Sequence, residues 1–597
     1  MTERKDELYL NKALEFLDRH WKWVTLLAWA LFCAWFVYNK WAQIHGFALN
    51  DTDDNMRMSQ VRALLAGQDW YDLRQYRLNP PFGADMHWSR LVDLPLAGLI
   101  LFFRMFVSGA DAERIAITVA PMLPYLLLLF GTALTARRLV HPAAYVLAFV
   151  ALISARSTNG MFMPTRLDHH GWQLAFLAIA LAGLADPKRA RGGATLGLAT
   201  GLSLAIGLEL LIYLALGAAA TVLIWIDDRD EKKRLAAYAV TLAGTTALSF
   251  VLFASNANRA AVCDALSPVW LSDAMLGGAL LFALAAVSPG DWKRRFALAA
   301  GAGVVIALFH AGMWPHCLSR LEGVSPEVEQ LWLSHVREAR PIYRHSREIA
   351  MLMVALPLAG LIGWPMLVWR AGRERPLLRR TLAVAVPALT ATALLLWQTR
   401  TGPAAQAMSV VGAIAMLWII TPIAWRRPIL GTIALIPLAA LAFGALIPTA
   451  MEWFPPKKPT PRDIAIGRAN SQCASLAGLR PVALQPKGMV FTFVDLGPRL
   501  ITVTHHNAVI GPYHRNGEQI ADVMKAFRGS AEQARSIIAK YRADYLLTCP
   551  NSSTTTIFLA EAPKGFYAQL QRGQVPGWLT PVELPANSPY RMWKVAP

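Results

Sequence analysis

The sequence has little charge, and acidic residues are the scarcer kind. Only 16% of its 597 residues are charged, with 39 Asp and Glu against 58 Lys and Arg, while 55% are hydrophobic. The mean hydropathy is +0.36. Soluble domains of this size do not have such a composition. The deficit of charge therefore excludes a soluble globular protein and predicts a polytopic α-helical membrane protein.

A cleavable signal peptide is not visible. Residues 1–22 form a charged amphipathic leader that runs into the first apolar segment, and we expect this leader to stay cytoplasmic. The net charge of +19 comes from short Lys and Arg clusters between apolar runs, as the positive-inside rule describes for cytoplasmic loops. The excess of Lys and Arg therefore indicates how the protein is oriented in a cell (inner) membrane and does not indicate a nucleic-acid partner.

Apolar runs of about 15 to 22 residues predict thirteen membrane spans within residues 23–449. The run "LVDLPLAGLILFFRMFVSG" contains Asp93 and Arg104, so we interpret it as a helix lying in the outer interface. This choice places a basic cluster in every inner loop and leaves two long external loops, 42–112 and 314–347. The predicted spans lie near residues 23–41, 113–135, 140–156, 172–186, 194–209, 211–226, 235–255, 271–288, 296–313, 348–370, 381–397, 404–425 and 429–448.

An odd number of spans places residues 450–597 on the periplasmic or extracellular side. After the linker "PPKKPTPRD", the stretches "GMVFTFVDLG", "LITVTHHNAVIG" and "DYLLTCP" predict short strands, and "SAEQARSIIAKYR" predicts a helix. We therefore expect a small α/β domain outside the membrane. Four of the five cysteines also fall outside, in an oxidising space, and we predict a disulfide between Cys473 and Cys549.

Three acidic features face this outer side. The first is "NDTDDNMR", with Asp53 and Asp54; the second is "RLDHHGWQ", with Asp168; the third is Glu338 in the long second loop. Carboxylates and imidazoles that converge from separate loops suit a divalent cation such as Mg²⁺ or Mn²⁺. Each feature also has a plainer interpretation: a solvated loop or helix cap, histidines anchored at the interface, and a surface ion pair among arginines.

The order and sidedness of these features resemble the catalytic subunit of oligosaccharyltransferases, which are membrane glycosyltransferases of the GT-C class. "TDDNMRMSQVRALL" resembles the first-loop motif, with Asp53 the best match and Asp54 its rival. "RLDHHGWQ" resembles the second motif and points to Asp168 and His170, whereas "LSHVREARP" resembles the loop carrying a Glu and points to Glu338. "WQTRTGP" lies where the family keeps an Arg near the lipid phosphate.

The resemblance implies a set of roles for these residues. Metal ligands would be Asp53, Asp168 and His170; catalytic carboxylates would be Asp53, Asp54 and Glu338; substrate contacts would be Arg400, His169 and Arg340. The family's acceptor-reading W-W-D-Y-G signature is missing from the C-terminal segment. That segment instead has a polar cluster of unknown use, made of His505, His506, His514 and Arg515.

The resemblance predicts a metal-assisted transferase that moves a sugar or oligosaccharide from a polyprenyl-(di)phosphate donor to a glycan, lipid or protein acceptor on the outer face of the membrane. One alternative is a GT-C transferase that moves a single sugar from polyprenyl monophosphate to a lipid or envelope polysaccharide, which the missing signature favours. A further alternative is a transporter or flippase for a lipid-linked glycan. Transporters often contain inverted repeats, and none is visible here.

Overall fold

The computed structural model describes residues 2–319, 323–424, 426, 428–453 and 458–596. Most of these residues are helical. The helices of the membrane part are α1 (Thr2–Arg19), α2 (Trp21–His45), α3 (Thr52–Leu65), α4 (Asp93–Arg104), α5 (Gly109–Val119), α6 (Met122–Leu139), α7 (Tyr145–Ile153), α8 (Arg156–Asn159), α9 (His170–Ala185), α10 (Arg189–Ile206), α11 (Leu211–Asp227), α12 (Lys232–Phe253), α13 (Pro268–Val287), α14 (Trp292–Met313), α15 (Pro326–Leu331), α16 (Arg347–Ala371), α17 (Arg375–Leu394), α18 (Gly402–Ala424), α19 (Pro428–Ala442) and α20 (Leu446–Glu452).

The helical membrane fold is confirmed. Within the described ranges, eight helices are long and apolar enough to cross a membrane, or nine if the pair formed by Gly431–Ala442 and Leu446–Glu452, bent by 95°, counts as one span. Each of the thirteen predicted spans overlaps a helix. Their number as true crossings stays a prediction, because α7 has only nine residues and α9 and α11 are short apolar helices.

Helix α4 corresponds to the run that we interpret as interfacial. Its 12 residues reach about 18 Å, well short of the roughly 30 Å of hydrocarbon that a spanning helix must cross. Leu101 and Phe102 remain exposed on its surface, whereas Asp93 at its first turn is fully buried. The helix is therefore anchored at its N-terminus and apolar along its length.

The C-terminal part is a small α/β domain, as predicted. Its elements are α21 (Pro461–Ala474), α22 (Leu476–Ala483), β1 (Met489–Phe491), α23 (Gly497–Val503), β2 (Asn507–Ala508), α24 (Gly517–Arg528), α25 (Ala531–Lys540), β3 (Tyr545–Thr548), α26 (Ser553–Glu561), α27 (Phe566–Gln571), β4 (Leu579–Pro581) and β5 (Arg591–Val595). The five strands form one sheet in the order β2-β1-β3-β5-β4, in which β1 pairs in parallel with β2 and β3, and β5 pairs antiparallel with β3 and β4.

One predicted strand is only partly confirmed. "LITVTHHNAVIG" contributes only Asn507 and Ala508 to the sheet, and its first residues belong to α23. Pro498 stands in the first turn of α23, where its missing N–H costs nothing. The β-branched residues then pack against the first external loop: the hydroxyl of Thr502 bonds to the hydroxyl of Ser59 at 2.8 Å. Tertiary contact here overrides strand propensity.

The first external loop docks onto the C-terminal domain. Arg77 donates to the carbonyl oxygens of Thr504 at 2.8 Å and His506 at 2.5 Å. Leu78 forms a β-bridge with Ala508 at the edge of the sheet. These contacts bring α3 and the C-terminal domain to one place, which is where the acidic residues lie.

Two disulfides link segments that are distant in the chain. Cys473 and Cys549 are bonded, as predicted, and join α21 to the residue after β3. Cys263 is bonded to Cys317, which ties the loop after α12 to the turn after α14. The fifth cysteine, Cys33, is free and lies within α2.

Candidate functional site

Asp53 and Asp54 are neighbours at the N-terminus of α3, but their side chains differ in the hydrogen bonds that they accept. Asp51 caps the helix, and its Oδ1 accepts from the N–H groups of both residues at 3.0 and 3.3 Å. The Asp54 carboxylate completes this capping box by accepting from the N–H of Asp51 at 3.1 Å. The other oxygen of Asp54 accepts from the N–H groups of Leu167 at 2.6 Å and Asp168 at 2.9 Å. Asp54 therefore joins the two acidic motifs through backbone hydrogen bonds.

Asp53 is left with a free carboxylate. Within the described residues, no hydrogen bond or ion pair reaches its side chain, which is partly buried. Burial raises the pKa of Asp53 to about 8, and the negative charges of Asp168 and Glu338 contribute to the rise. A carboxylate that is held near other carboxylates without a protein cation as a direct partner suits metal or substrate binding.

In the second motif, "RLDHHGWQ", Asp168 is surrounded by basic side chains. Asp168 is buried, and its oxygens lie 3.0 Å from Arg166, 2.6 Å from the His169 ring and 3.3 Å from the His170 ring. Burial opposes ionisation of this carboxyl, but the charges of His169, His170 and Arg166 hold the pKa of Asp168 well below its usual range. Asp168 is therefore an anion at neutral pH, as a metal ligand must be.

His169 is enclosed between two carboxylates. Its Nδ1 faces Asp168, and its Nε2 lies 2.9 Å from Oε1 of Glu209, whose other oxygen accepts from Gln173 at 2.6 Å. Burial works against the charge, but Asp168 and Glu209 raise the pKa of His169 to about 10. A protonated imidazole has no free lone pair, which agrees with the choice of His170 over His169 as a ligand.

Sequence reasoning missed Glu209. It lies between α10 and α11 in "IGLELLIY", where the predicted spans leave only a tight outer turn. The available signal is a lone Glu in an apolar surrounding, since such a residue is expensive unless it is paired. Its partner lies 40 residues away in the chain, so only the fold reveals the pair.

The wall of the site is aromatic and comes from two segments. The Arg57 guanidinium lies 4.5 Å from the Trp88 ring centroid, and Trp88 also packs edge-on against Tyr513 of the C-terminal domain, at 5.6 Å. The hydroxyl of Tyr513 donates to the carbonyl of Thr52 at 3.1 Å. The C-terminal domain thus closes over the start of α3 beside the acidic residues.

Glu338 and Arg400 meet at the edge of the site. Nη2 of Arg400 lies 3.2 Å from Oε1 of Glu338, and the N–H of Thr399 donates to the carbonyl of Arg340 at 2.9 Å. The long second loop is therefore fixed to the turn before α18. The Arg340 guanidinium instead donates to the backbone oxygen of Ser334 and is partly buried.

The C-terminal histidines do not form one cluster. His505 and His506 contact the carbonyls of Gln485 and Val482, both at 2.9 Å, near α22. His514 and Arg515 both contact Asp264 from the loop between α12 and α13. The predicted polar cluster is therefore two separate groups. His505 and His506 make contacts within the C-terminal domain, whereas His514 and Arg515 bind the loop between α12 and α13.

The residues present fit a divalent cation. Asp168, His169 and His170 offer ligand atoms that all lie within 4.8 Å of one another. His169 is occupied by two carboxylates, which leaves Asp168 and His170; the unpaired Asp53 carboxyl lies in electrostatic range of Asp168 and would give up its proton to a bound cation. The excess of carboxylates over nearby cations favours a bound metal ion, and the oxygen-rich donors suit Mg²⁺ or Mn²⁺.

An apolar cleft lies against this group. The cleft is narrow, and its walls come from α4, from the break between α5 and α6 and from the start of α9. Pro95, Pro121 and Trp172 line it, and its polar lining is Arg166 and Asp168. Such a cleft suits a ligand with an apolar body and a charged end.

Solved structures share this architecture. The archaeal oligosaccharyltransferase AglB from Archaeoglobus fulgidus, in complex with an inhibitory peptide and a dolichol-phosphate, aligns with a TM-score of 0.68 and 14% identity over 95% of this chain and 73% of that chain. The chain has the GT-C fold. The Archaeoglobus fulgidus enzyme tethered to an NVT acceptor peptide aligns at 0.65, with 13% identity over 95% and 74% of the two chains.

A third structure, the same archaeal enzyme in complex with zinc and sulfate, aligns at 0.62 with 15% identity over 96% and 73% of the two chains. No protein-family model and no curated protein matches the sequence. At such low identity, the likeness carries the GT-C fold and leaves the residue roles to be argued from the site.

Proposed function

We propose that this multi-pass membrane protein is a glycosyltransferase that moves a sugar or oligosaccharide from a polyprenyl-phosphate or diphosphate donor to an acceptor on the outer face of the membrane. The observation that carries the proposal is the pairing of Asp168 with His170, with the unpaired Asp53 carboxyl in electrostatic range of Asp168, within the GT-C fold. The family resemblance of the three motifs agrees with it.

The leaving group of this reaction is a lipid phosphate, whose negative charge grows in the transition state. Asp53, Asp168 and His170 would hold Mg²⁺ or Mn²⁺, which supplies electrostatic stabilisation of that charge. Arg400, held near the site by its ion pair with Glu338, would contact the phosphate. Asp53 or Glu338 would orient or deprotonate the acceptor nucleophile.

The apolar cleft beside Asp168 supports a lipid-linked donor. Lipid isoprene units would lie along Pro95, Pro121 and Trp172, with the phosphate toward the charged residues. A soluble nucleotide sugar would need polar contacts for its base, and this cleft offers none beyond Arg166 and Asp168. The AglB structure carries a dolichol-phosphate, which is a ligand of the same class.

The test is genetic and chemical. Deleting the gene and comparing envelope glycolipids, polysaccharides and glycoproteins by mass spectrometry should reveal one lost glycan, which the wild-type gene restores. Asp168→Ala should fail to restore it, whereas Asp230→Ala, a change at an exposed carboxylate of an inner loop, should restore it fully. An unchanged glycan profile in the deletion strain would contradict the proposed function; full restoration by Asp168→Ala would contradict the metal site alone.

The same experiment separates the acceptors. The chain lacks the W-W-D-Y-G signature, which favours transfer of a single sugar to a lipid or envelope polysaccharide over transfer to protein. Loss of a sugar from a lipid or polysaccharide fraction would identify this second function. Loss of glycopeptides would instead identify transfer to protein.

A further inference from the structure

A second group of potential ligands lies where three segments meet outside the catalytic carboxylates. His87 belongs to the first external loop, Asp264 follows the disulfide-bonded Cys263, and His514 opens a helical turn of the C-terminal domain. One ligand atom from each of His87, Asp264 and His514 lies within 4.8 Å of the other two. These residues are 177 and 250 positions apart along the chain (264 minus 87, and 514 minus 264), so only folding brings them together.

The contacts within this group are incomplete. Nε2 of His514 lies 2.6 Å from Oδ2 of Asp264, and the rings of His87 and His514 are 4.6 Å apart. Nδ1 of His87 is buried, and no described residue provides it with a hydrogen-bond partner. A buried ring nitrogen without a partner loses its hydration and regains nothing.

Arg515 holds the carboxylate of the group in place. Its Nε and Nη2 donate to the two oxygens of Asp264 at 2.8 and 2.7 Å. Its positive charge is partly offset by Asp85, whose Oδ2 lies 3.7 Å away. A carboxylate that is oriented by a second side chain is the usual arrangement around a metal ligand.

We propose that His87, Asp264 and His514 bind a divalent transition-metal ion of the zinc class, which locks the first external loop and the C-terminal domain onto the membrane part. Two imidazoles with one carboxylate suit Zn²⁺ and are poor ligands for Mg²⁺ or Ca²⁺. On binding, the metal takes the lone pairs of Nε2 of His514 and Oδ2 of Asp264, and the proton that they share passes to solvent. Water completes the coordination.

The ion's role is structural, and it differs from that of the catalytic metal. The group reaches the catalytic site only through packing: the ring of Trp88, next to His87, lies 5.9 Å from the ring of His169. An ion that ties His87 to His514 would hold Trp88 and Tyr513 in the wall of the site. Its loss would loosen the C-terminal domain without removing a catalytic ligand.

Zinc binding to the purified full-length chain tests the proposal. The protein is stripped with EDTA, reloaded with zinc chloride, freed of excess metal and assayed by mass spectrometry of bound zinc, together with its melting temperature. His514→Gln is the test variant, because glutamine keeps a hydrogen bond to Asp264 and is a poor zinc ligand. His505→Gln is the matched control, since His505 is exposed on the same domain, bonds to the backbone carbonyl of Gln485 and lies outside the proposed ligand group.

The expected result is a loss of about one zinc equivalent per chain in His514→Gln and in His87→Gln, and no loss in His505→Gln. Zinc should raise the melting temperature of the wild-type protein and of His505→Gln by several degrees more than that of His514→Gln, because a ligand stabilises only the state that binds it. In the wild-type protein, Co²⁺ in place of zinc should give visible absorption, which His87→Gln weakens even if His514→Gln folds poorly.

Equal zinc content and equal zinc-dependent melting in the wild-type protein, His514→Gln and His87→Gln would overturn the proposal. Asp168→Ala keeps this outcome separate from the proposed function. If Asp168→Ala alone loses zinc, the catalytic-site metal stands and the second site fails. If only His514→Gln and His87→Gln lose zinc, the second site stands whatever the catalytic residues bind.

Discussion

Asp53 and Asp54 are neighbours in α3 but differ in their hydrogen bonds. The capping geometry pairs the carboxylate of Asp54 and leaves that of Asp53 unpaired. The Asp54 side chain accepts from the backbone N–H groups of Asp51, Leu167 and Asp168, and it is fully buried. Asp53 takes no such bond, and burial raises the pKa of both carboxyls. Motif matching alone leaves the two residues as rivals; from the hydrogen bonds we propose a structural role for Asp54 and a chemical role for Asp53.

Replacing each carboxylate by its amide should separate these roles. Asp53→Asn should fold normally and lose transfer activity by about 100-fold or more, because an amide cannot become the anionic ligand or base that the proposed site needs. Asp54→Asn should destabilise the protein by about 1 to 3 kcal/mol, because the amide NH₂ group must face backbone N–H donors. Thermal unfolding and transfer assays on the two purified variants measure both effects. Wild-type activity in Asp53→Asn would refute this assignment.

Residue pairs that are distant in the chain could not be predicted from the sequence. Asp168 and His170 lie close together in the sequence, so a motif could point to them. No motif could point to Glu209, because its significance lies in its ion pair with His169, and the two side chains come into contact only after α9 and α10 pack. The same holds for Tyr513, which reaches the first loop from the other end of the chain.

At the scale of elements, periodicity and length predict the helices well and the short strands poorly. Every predicted span overlaps a helix, because long apolar runs leave the chain few other solutions in a membrane. Residues 500–503 read as a strand from their β-branched side chains, yet they form the end of α23, where Thr502 contacts α3. Strands of two to five residues carry too few side chains to resist such contacts.

The first turn of α4 depends on a buried charge network. Asp93 lies 2.6 Å from Arg57 and 3.1 Å from Arg90, and all three side chains are at most 1% exposed. Arg57 comes from α3 and also covers Trp88, so the network joins α4 to the wall of the candidate site. The position of α4 is therefore coupled to the acidic site through one carboxylate.

Asp93→Asn should destabilise the fold by about 3 to 5 kcal/mol, because it leaves two buried guanidinium groups without a counter-charge. Asp111→Asn is the matched control: its ion pair with Arg114 lies on the surface of α5, and its loss should leave the melting temperature nearly unchanged. Melting temperatures of the two variants in the same detergent make the comparison. Similar melting temperatures would mean that the buried network does not anchor α4.

At the scale of the whole molecule, the fold class and the outer α/β domain follow from composition, whereas the sidedness rests on counting spans. Both disulfides join residues that the count places outside, which supports an oxidising location. The docking of the first loop on the C-terminal domain, through Arg77 and Leu78, requires only that these two segments share a side. The absolute orientation of the molecule is therefore the open prediction.

Two glycines allow a direct test of that orientation. A side chain added at Gly290, in a predicted inner loop, or at Gly577, in the C-terminal domain, would meet no atom within 4 Å, so cysteine should be tolerated at both. The background is Cys33→Ser, which removes the one cysteine outside the disulfides. In sealed right-side-out vesicles, a membrane-impermeant maleimide should label Gly577→Cys at once and Gly290→Cys only after detergent opens the membrane. Because the C-terminal domain carries Tyr513 into the catalytic site, the opposite pattern would move the proposed chemistry to the cytoplasmic face and exclude transfer on the outer side.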